Sequence, residues 1–214
     1  MEKVKEFIRS RWFVFFILLI VFSYLLVEVF EKEAMTTDRL AYDFFVKNLR
    51  SPVLTTIMKV ITEMGGTIFL TLLGIGSILF IKDKYIKWLI PLNLALSAIV
   101  NIGLKFLIQR PRPEGYRLIE QSGFSFPSGH SMSSMAFYGF IIYLIYKRVE
   151  DKKKRRILTI LFSTLIILIG ISRIYLGVHY ASDVIAGFSV GLAYLILFCT
   201  FVKEKFKKEH IGRK

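Results

Sequence analysis

The chain has 214 residues and a net charge of +14, and 54% of its residues are hydrophobic. This composition excludes an ordinary soluble domain, since the mean hydropathy is +0.55 although 21% of the residues are charged. Charged and apolar residues are segregated along the chain, which is typical of a polytopic membrane protein. The excess of Lys and Arg therefore indicates cytoplasmic loops and contact with anionic lipids, and argues against nucleic acid as a partner. The single cysteine, Cys199, excludes an intrachain disulfide.

The first apolar run, residues 12–30, follows the basic stretch "MEKVKEFIRSR". It is too long for the apolar region of a secretory signal peptide, and no small-x-small cleavage site follows it. We therefore expect an uncleaved first transmembrane span.

Further along the chain, five more apolar runs are near the ~20 residues that cross a ~30 Å hydrocarbon core. The six predicted spans are 12–30, 65–81, 85–108, 127–147, 157–176 and 181–202. Between the first two spans, residues 36–62 carry apolar residues at helical spacing, and Ser51-Pro52 divides this region into two amphipathic pieces. The sequence thus predicts an all-α integral membrane bundle of six transmembrane helices, with short amphipathic interfacial helices between spans 1 and 2. A single domain is expected over residues 1–214.

The distribution of Lys and Arg predicts the orientation of these spans. The segments 1–11, 82–87, 147–156 and 203–214 together carry 20 of these residues, whereas 31–53, 109–126 and 172–180 carry eight. The positive-inside rule then places both termini in the cytoplasm. With this topology, the polar motifs "KFLIQRPRP", "PSGHS" and "SRIYLGVHYASD" all meet on the extracytoplasmic face.

Two of these motifs suggest an anion site. Lys105 and Arg112 are seven residues apart, so a continuous helix would place both on one face, where they could bind an anion or simply reach lipid phosphates. Ser128, Gly129 and His130 open a predicted helix whose unpaired N–H groups favour an anion. Capping alone explains Ser128, but it does not explain His130.

The third motif suggests an oriented histidine. His179 and Asp183 are four residues apart, so on a helix the carboxylate could accept Nδ1–H and leave Nε2 free as a nucleophile or base. A purely structural His–Asp pair is the alternative. Arg173 would add a third cation, and so many cations oppose a metal ion; we expect no metal and no cofactor.

The order and spacing of these three polar motifs resemble the three-part signature of the type 2 phosphatidic acid phosphatase superfamily. The matching positions, within residues 105–183, are Lys105 with Arg112-Pro113, Pro127-Ser128-Gly129-His130, and Ser172-Arg173 with His179 and Asp183. The superfamily includes integral-membrane lipid phosphatases and soluble vanadium haloperoxidases, and six spans match the membrane branch. The resemblance implies that His179 attacks phosphorus to form a phosphohistidine, that Asp183 orients it and that His130 protonates the leaving oxygen. It also implies that the phosphate is held by Lys105, Arg112, Ser128, Gly129 and Arg173.

The expected function is thus a metal-independent lipid phosphatase of the cytoplasmic membrane, acting on the extracytoplasmic face. Within the resemblance, an isoprenyl diphosphate such as undecaprenyl diphosphate is the expected substrate, with phosphatidylglycerophosphate or phosphatidic acid as the alternative. Two functions of other classes stay open: a lipid phosphotransferase, and a lipid transporter or scramblase. For a transport pathway, the only hints are Asn93, Ser97 and Asn101, and helix packing explains these residues equally well. Gly187 and Gly191 likewise predict close helix contact. The sequence does not predict an oligomeric state.

Overall fold

The computed structural model describes residues 10–31 and 35–211, with only the backbone for residues 204–211. Within these ranges every regular element is a helix, so the all-α prediction is confirmed there. The α-helices are α1 (Arg11–Phe30), α2 (Thr36–Tyr42), α3 (Pro52–Glu63), α4 (Thr67–Phe80), α5 (Ile86–Ile108), α6 (Gly129–Arg148), α7 (Lys152–Tyr175) and α8 (Ala181–Ile211). A π-helical stretch, Asp43–Asn48, continues α2.

Four of the described helices, α1, α5, α7 and α8, are long and apolar enough to cross a membrane. A fifth span is possible because α3 and α4 satisfy the same test together, with a bend of 43° between them. The helix α6 does not satisfy it, although it has 20 residues. Its first turns carry serines and a histidine, which lower its hydropathy. The count of six spans therefore stays a prediction. Much of the charge that predicts their orientation belongs to residues 1–9 and to side chains beyond 203, which lie outside the described part.

Large apolar side chains lie on the outer surface of the bundle. Ile20 and Tyr24 of α1 are 68% and 63% exposed, and Phe80 of α4 is 83% exposed. An apolar surface of this extent indicates contact with lipid instead of water.

The helix α6 lies at the centre, packed against α5, α7 and α8. Its contact with α8 is especially close: a Cβ atom on Gly187 would lie 2.6 Å from the carbonyl oxygen of Ser128, and one on Gly191 would lie 2.9 Å from that of Met132. This geometry confirms the close helix contact predicted from the two glycines. It also holds the beginnings of α6 and α8 side by side.

The two pieces predicted between the first two spans are helical, as α2 with its π-helical extension and as α3, and their position at the membrane interface stays a prediction. In the first piece Leu40 and Phe44 are 64% and 53% exposed, whereas Asp38 is buried. Leu40 and Phe44 therefore face outward, whereas Asp38 faces the bundle. In α3, Met58 packs against Tyr175 and Val178, next to α7.

Candidate active site

His179 lies in the turn between α7 and α8, two residues before α8 begins. Its Nδ1 is 3.3 Å from Oδ2 of Asp183, and both side chains are buried. The predicted pair thus forms, but not along one helix face, because His179 precedes the helix. The carboxylate folds back over the first turn of α8 and accepts a hydrogen bond from the N–H of Tyr180 at 2.8 Å.

The neighbours of His179 determine its tautomer. A terminal nitrogen of Arg112, NH1, lies 2.9 Å from Nε2, and a guanidinium can only donate hydrogen bonds. Nε2 must therefore accept, so the proton is on Nδ1, facing Asp183. Burial lowers the pKa of His179 to about 3, so its imidazole is neutral at physiological pH. A neutral ring with an unprotonated Nε2 is the form that a nucleophile requires.

Asp183 has further donors that the sequence did not indicate. Ser125 Oγ donates to Oδ2 at 2.5 Å, and Arg110 NH1 donates to Oδ1 at 2.7 Å. The sequence placed Arg110 on the polar face but gave it no role of its own. The buried carboxylate thus receives hydrogen bonds at both oxygens, which fixes its plane.

Lys105 and Arg112 approach each other, but not on one helical face as predicted. The helix α5 ends at Ile108, and Gln109 takes a left-handed conformation with φ of 52°, so Arg112 lies in the following loop. Lys105 Nζ donates to the carbonyl oxygen of Phe124 at 2.5 Å. Arg112 Nε donates to the carbonyl oxygen of Gly123 at 2.9 Å, and NH1 donates to that of Val178 at the same distance. Burial lowers the pKa of Arg112 to about 10, which leaves it charged at neutral pH.

Arg173, near the end of α7, is held by two residues that sequence reasoning missed. NH1 donates to Thr62 Oγ1 at 2.7 Å, and NH2 donates to Gln121 Oε1 at 2.6 Å. The Nε atom is buried and has no partner in the described part of the chain. A phosphate oxygen could satisfy this donor. Thr62 lies at the bend between α3 and α4, where Gly65 and Gly66 follow it; this break in the helix was the only local signal.

The start of α6 combines capping with proximity to the cations. Ser128 is the N-cap, and its Oγ accepts from the N–H of Ser131 at 3.4 Å. A Cβ atom on Gly129 would lie 3.0 Å from Asn101 Oδ1 and 3.9 Å from Cε of Lys105. Glycine therefore keeps the backbone next to Lys105 uncrowded.

His130, one residue further along α6, is half-buried. Lys105, Arg112, Arg173 and His179 all lie within electrostatic range of its ring. Its imidazole makes no hydrogen bond to any residue that the structure describes. The structure therefore brings together seven of the predicted side chains and the Gly129 backbone. Their action on a phosphate stays a prediction.

A cavity of about 880 Å³ lies beside His179. Its walls include apolar residues of α1 and α5, such as Val29, Phe30 and Ile108, and polar residues such as Arg39 and Lys47. This volume is within the range that small ligands and head groups occupy. Among the described residues no group of three or more His, Cys, Asp and Glu is arranged to hold a metal ion, and metal independence stays a prediction.

The chain is similar to known bacterial membrane phosphatases. Residues 86–207 match the sequence profile of the PAP2 superfamily. The chain is 36% identical to phosphatidylglycerophosphatase B of Bacillus subtilis over 165 residues, which cover 75% of this chain and 80% of that protein. It superimposes on the crystal structure of a transmembrane PAP2-type phosphatidylglycerolphosphate phosphatase from Bacillus subtilis with a TM-score of 0.78 and 31% identity, over 87% of this chain and 94% of that chain. The crystal structure of Aquifex aeolicus LpxE shares the fold, with a TM-score of 0.61 and 24% identity over 78% of this chain and 97% of that chain.

Proposed function

This chain belongs to the PAP2 superfamily and is a membrane lipid phosphatase, and we propose on that basis that it hydrolyses the phosphomonoester of a phosphatidylglycerophosphate-type lipid through a phosphohistidine intermediate. The relative and the solved structure with the highest similarity reported above both carry this activity in their names. These comparisons support phosphatidylglycerophosphate, the alternative from sequence, over the isoprenyl diphosphate that the sequence analysis preferred.

The observation that carries this proposal is the size of the cationic site. Lys105, Arg112 and Arg173 surround His179 and His130, which is enough positive charge for one phosphate dianion. The next cation in the loop, Arg110, is neutralised by ion pairs with Asp38 and Asp183. Of the other cations that line the cavity beside His179, Lys47 is paired with Asp43 and Arg39 remains. A second phosphate would therefore find less positive charge than the first. Glu63, an exposed carboxylate within electrostatic range of Arg173, would repel it.

The proposed first step is an in-line displacement at phosphorus. Arg112 moves its NH1 from Nε2 of His179 to a phosphate oxygen, and Nε2 attacks phosphorus. The bound phosphate dianion favours the charged form of His130, which therefore takes up a proton when the substrate binds. The bond from phosphorus to the lipid oxygen breaks as this imidazolium gives its proton to that oxygen. Developing charge on the phosphate is stabilised by Lys105, Arg112 and Arg173 together with the N–H groups that begin α6.

In the second step, water attacks the phosphohistidine while His130 takes the water proton. The N–P bond breaks, inorganic phosphate leaves, and His179 returns to its neutral form. The products are a lipid alcohol and phosphate, and no step requires a metal ion. A lipid alcohol in place of water would give a phosphotransferase, which product analysis with an added lipid alcohol tests.

The decisive experiment measures phosphate release by purified protein in detergent with excess EDTA. Phosphatidylglycerophosphate, phosphatidic acid and undecaprenyl diphosphate are compared at equal mole fraction, with His179→Gln as the inactive control. We expect the highest kcat/KM for phosphatidylglycerophosphate, and acid-labile, base-stable labelling of the wild type by substrate carrying a radioactive phosphate. Higher kcat/KM for the diphosphate would overturn the substrate assignment, and absence of release from every lipid would overturn the function.

We further propose that the site faces the extracytoplasmic side, as the distribution of Lys and Arg indicates. Glu114 and Lys153 are both exposed and lie at opposite ends of the predicted spans. In a variant with Cys199 replaced by serine, Glu114→Cys should react with a membrane-impermeant maleimide in intact cells, and Lys153→Cys should not. The reverse pattern would contradict this orientation.

A further inference from the structure

A buried carboxylate outside the three motifs contacts the active site from the segment between the first two predicted spans. Asp38 of the short helix α2 is only 7% exposed. Its Oδ1 accepts the N–H of Ser182 at 2.8 Å, and its Oδ2 accepts the hydroxyl of Ser182 at 2.8 Å and NH2 of Arg110 at 3.0 Å. These contacts join α2 to the first turn of α8.

Arg110 continues the connection towards the nucleophile. While NH2 binds Asp38, NH1 donates to Oδ1 of Asp183 and to Oγ of Ser182, both at 2.7 Å. The guanidinium also lies over the ring of Tyr180, 4.1 Å from its centroid. Both terminal nitrogens and one face of the group are therefore held. The result is a continuous chain of contacts from Asp38 through Arg110 and Asp183 to His179.

We propose that Asp38 and Arg110 are positioning residues for the nucleophile, an inference that rests on the proposed function. The planar fork of Arg110 fixes the carboxylate plane of Asp183 by binding Oδ1, which leaves Oδ2 for the Nδ1–H of His179. Asp38 shares the positive charge of Arg110, so that Asp183 keeps its strength as an acceptor. Without Asp38, Arg110 would be a buried cation with only one carboxylate, and would draw Asp183 away from His179.

The test is a double-mutant cycle on purified protein in detergent. Asp38→Asn should lower kcat by about 10- to 100-fold, as expected for losing one charged hydrogen bond, and leave KM for the lipid within about threefold. In an Asp183→Asn background the same change should cost less than about threefold, because Asp38 acts through Asp183. Asp83→Asn is the matched control, since Asp83 also pairs with an arginine, Arg148, but lies just before the opposite end of α5, and it should leave activity unchanged.

A second readout separates positioning from folding. Vanadate, which becomes five-coordinate by bonding to Nε2, needs an oriented imidazole, whereas inorganic phosphate needs only the cations. Asp38→Asn should therefore weaken inhibition by vanadate about tenfold and leave inhibition by phosphate unchanged. If Asp38→Asn does not fold, Arg110→Lys should likewise weaken inhibition by vanadate and leave inhibition by phosphate unchanged. Lysine keeps the positive charge but cannot bind two carboxylates through a planar fork. Arg117→Lys, in the same loop and exposed, is its control.

The outcomes are distinguishable. Equal weakening of both inhibitors, or a full loss of rate from Asp38→Asn in the Asp183→Asn background, would show that Asp38 only supports the fold. Activity of Asp38→Asn equal to that of Asp83→Asn would overturn the inference while the proposed function stands. A wild-type protein that releases no phosphate from any lipid would overturn the proposed function itself.

Discussion

Thr62 is expected to control the active site through Arg173. Its Oγ1 accepts a hydrogen bond from NH1 of Arg173 at 2.7 Å, and both side chains are only 1% exposed. Thr62→Val keeps the shape of the side chain and removes the acceptor. The N–H of a buried guanidinium then loses its partner, and the burial of both side chains limits its replacement by water.

The size of the effect follows from this burial. A hydrogen bond to a charged group contributes about 1.5–3 kcal/mol, and about 1.4 kcal/mol corresponds to a factor of ten in rate. If the whole loss appears in binding of the transition state, kcat/KM should fall by about 10- to 150-fold. Since the Nε atom of Arg173 has no partner in the described part of the chain, part of the effect should appear as weaker inhibition by inorganic phosphate.

The assay is phosphate release from the preferred lipid, with the melting temperature in detergent as a check on folding. Thr56→Val is the matched control, because Thr56 lies on the same helix, is exposed, and donates only to the carbonyl oxygen of Pro52. Thr62→Ser should recover most of the activity. Equal kcat/KM for the Thr62→Val and Thr56→Val variants would refute the role of Thr62 in holding Arg173.

Four other predictions concern rate, pH, packing and metal. Asp183→Asn should lower kcat by about 10⁴-fold, as loss of the orienting aspartate does in a catalytic triad, and a loss below tenfold in phosphate release would make the His–Asp pair structural. Burial lowers the pKa of His179 from 6.5 to about 3, so below pH 6.5 the unfolded chain binds a proton that the folded one does not. The stability that this residue contributes is therefore complete above pH 6.5 and is lost towards pH 3, by about 2 kcal/mol at pH 5. The melting temperatures at pH 7.5 and pH 5 should therefore differ less in His179→Gln than in the wild type. Equal differences in the two proteins would contradict the lowered pKa. Gly191→Ala should lower the melting temperature, because its Cβ atom would lie 2.9 Å from a backbone oxygen. Gly103→Ala, which has open space around it, should be neutral or stabilising by about 1 kcal/mol. The opposite order of melting temperatures would contradict the close contact of α6 and α8. Removal of divalent metals with EDTA should leave kcat unchanged, and restoration of a lost rate by one added metal would refute metal independence.

The motif residues lie close together, as the sequence predicted, but the backbone brings them together in a different way. Lys105 and Arg112 are compatible with two turns of one helix when only their spacing is considered. Pro111 and Pro113 disfavour helix at the residues before them, and α5 ends at Ile108. Similarly, His179 and Asp183 meet because the carboxylate caps the turn before α8, a local geometry that the i,i+4 spacing alone does not contain.

Thr62, Gln121 and Asp38 could not be predicted because their contacts with the site span 111, 52 and 144 residues of sequence. Asp38 also lies on the side opposite to that expected in a soluble protein. There the apolar face of a helix is the buried side, which would place Leu40 and Phe44 inward. Here these apolar residues face outward and Asp38 faces the bundle, because the surroundings of a membrane protein are themselves apolar.

By itself, the sequence determined the all-helical class, the family signature and the set of ionisable groups, since these depend on residue type and order alone. Only the tertiary structure decided which of these groups touch. In the folded protein, Nε2 of His179 contacts Arg112, and both oxygens of Asp183 accept from fixed donors. Arg110 forms ion pairs with two carboxylates. The physical reason is that hydrogen bonds and ion pairs in a buried site act over a few ångströms, and chain segments far apart in sequence reach those distances only when the helices pack.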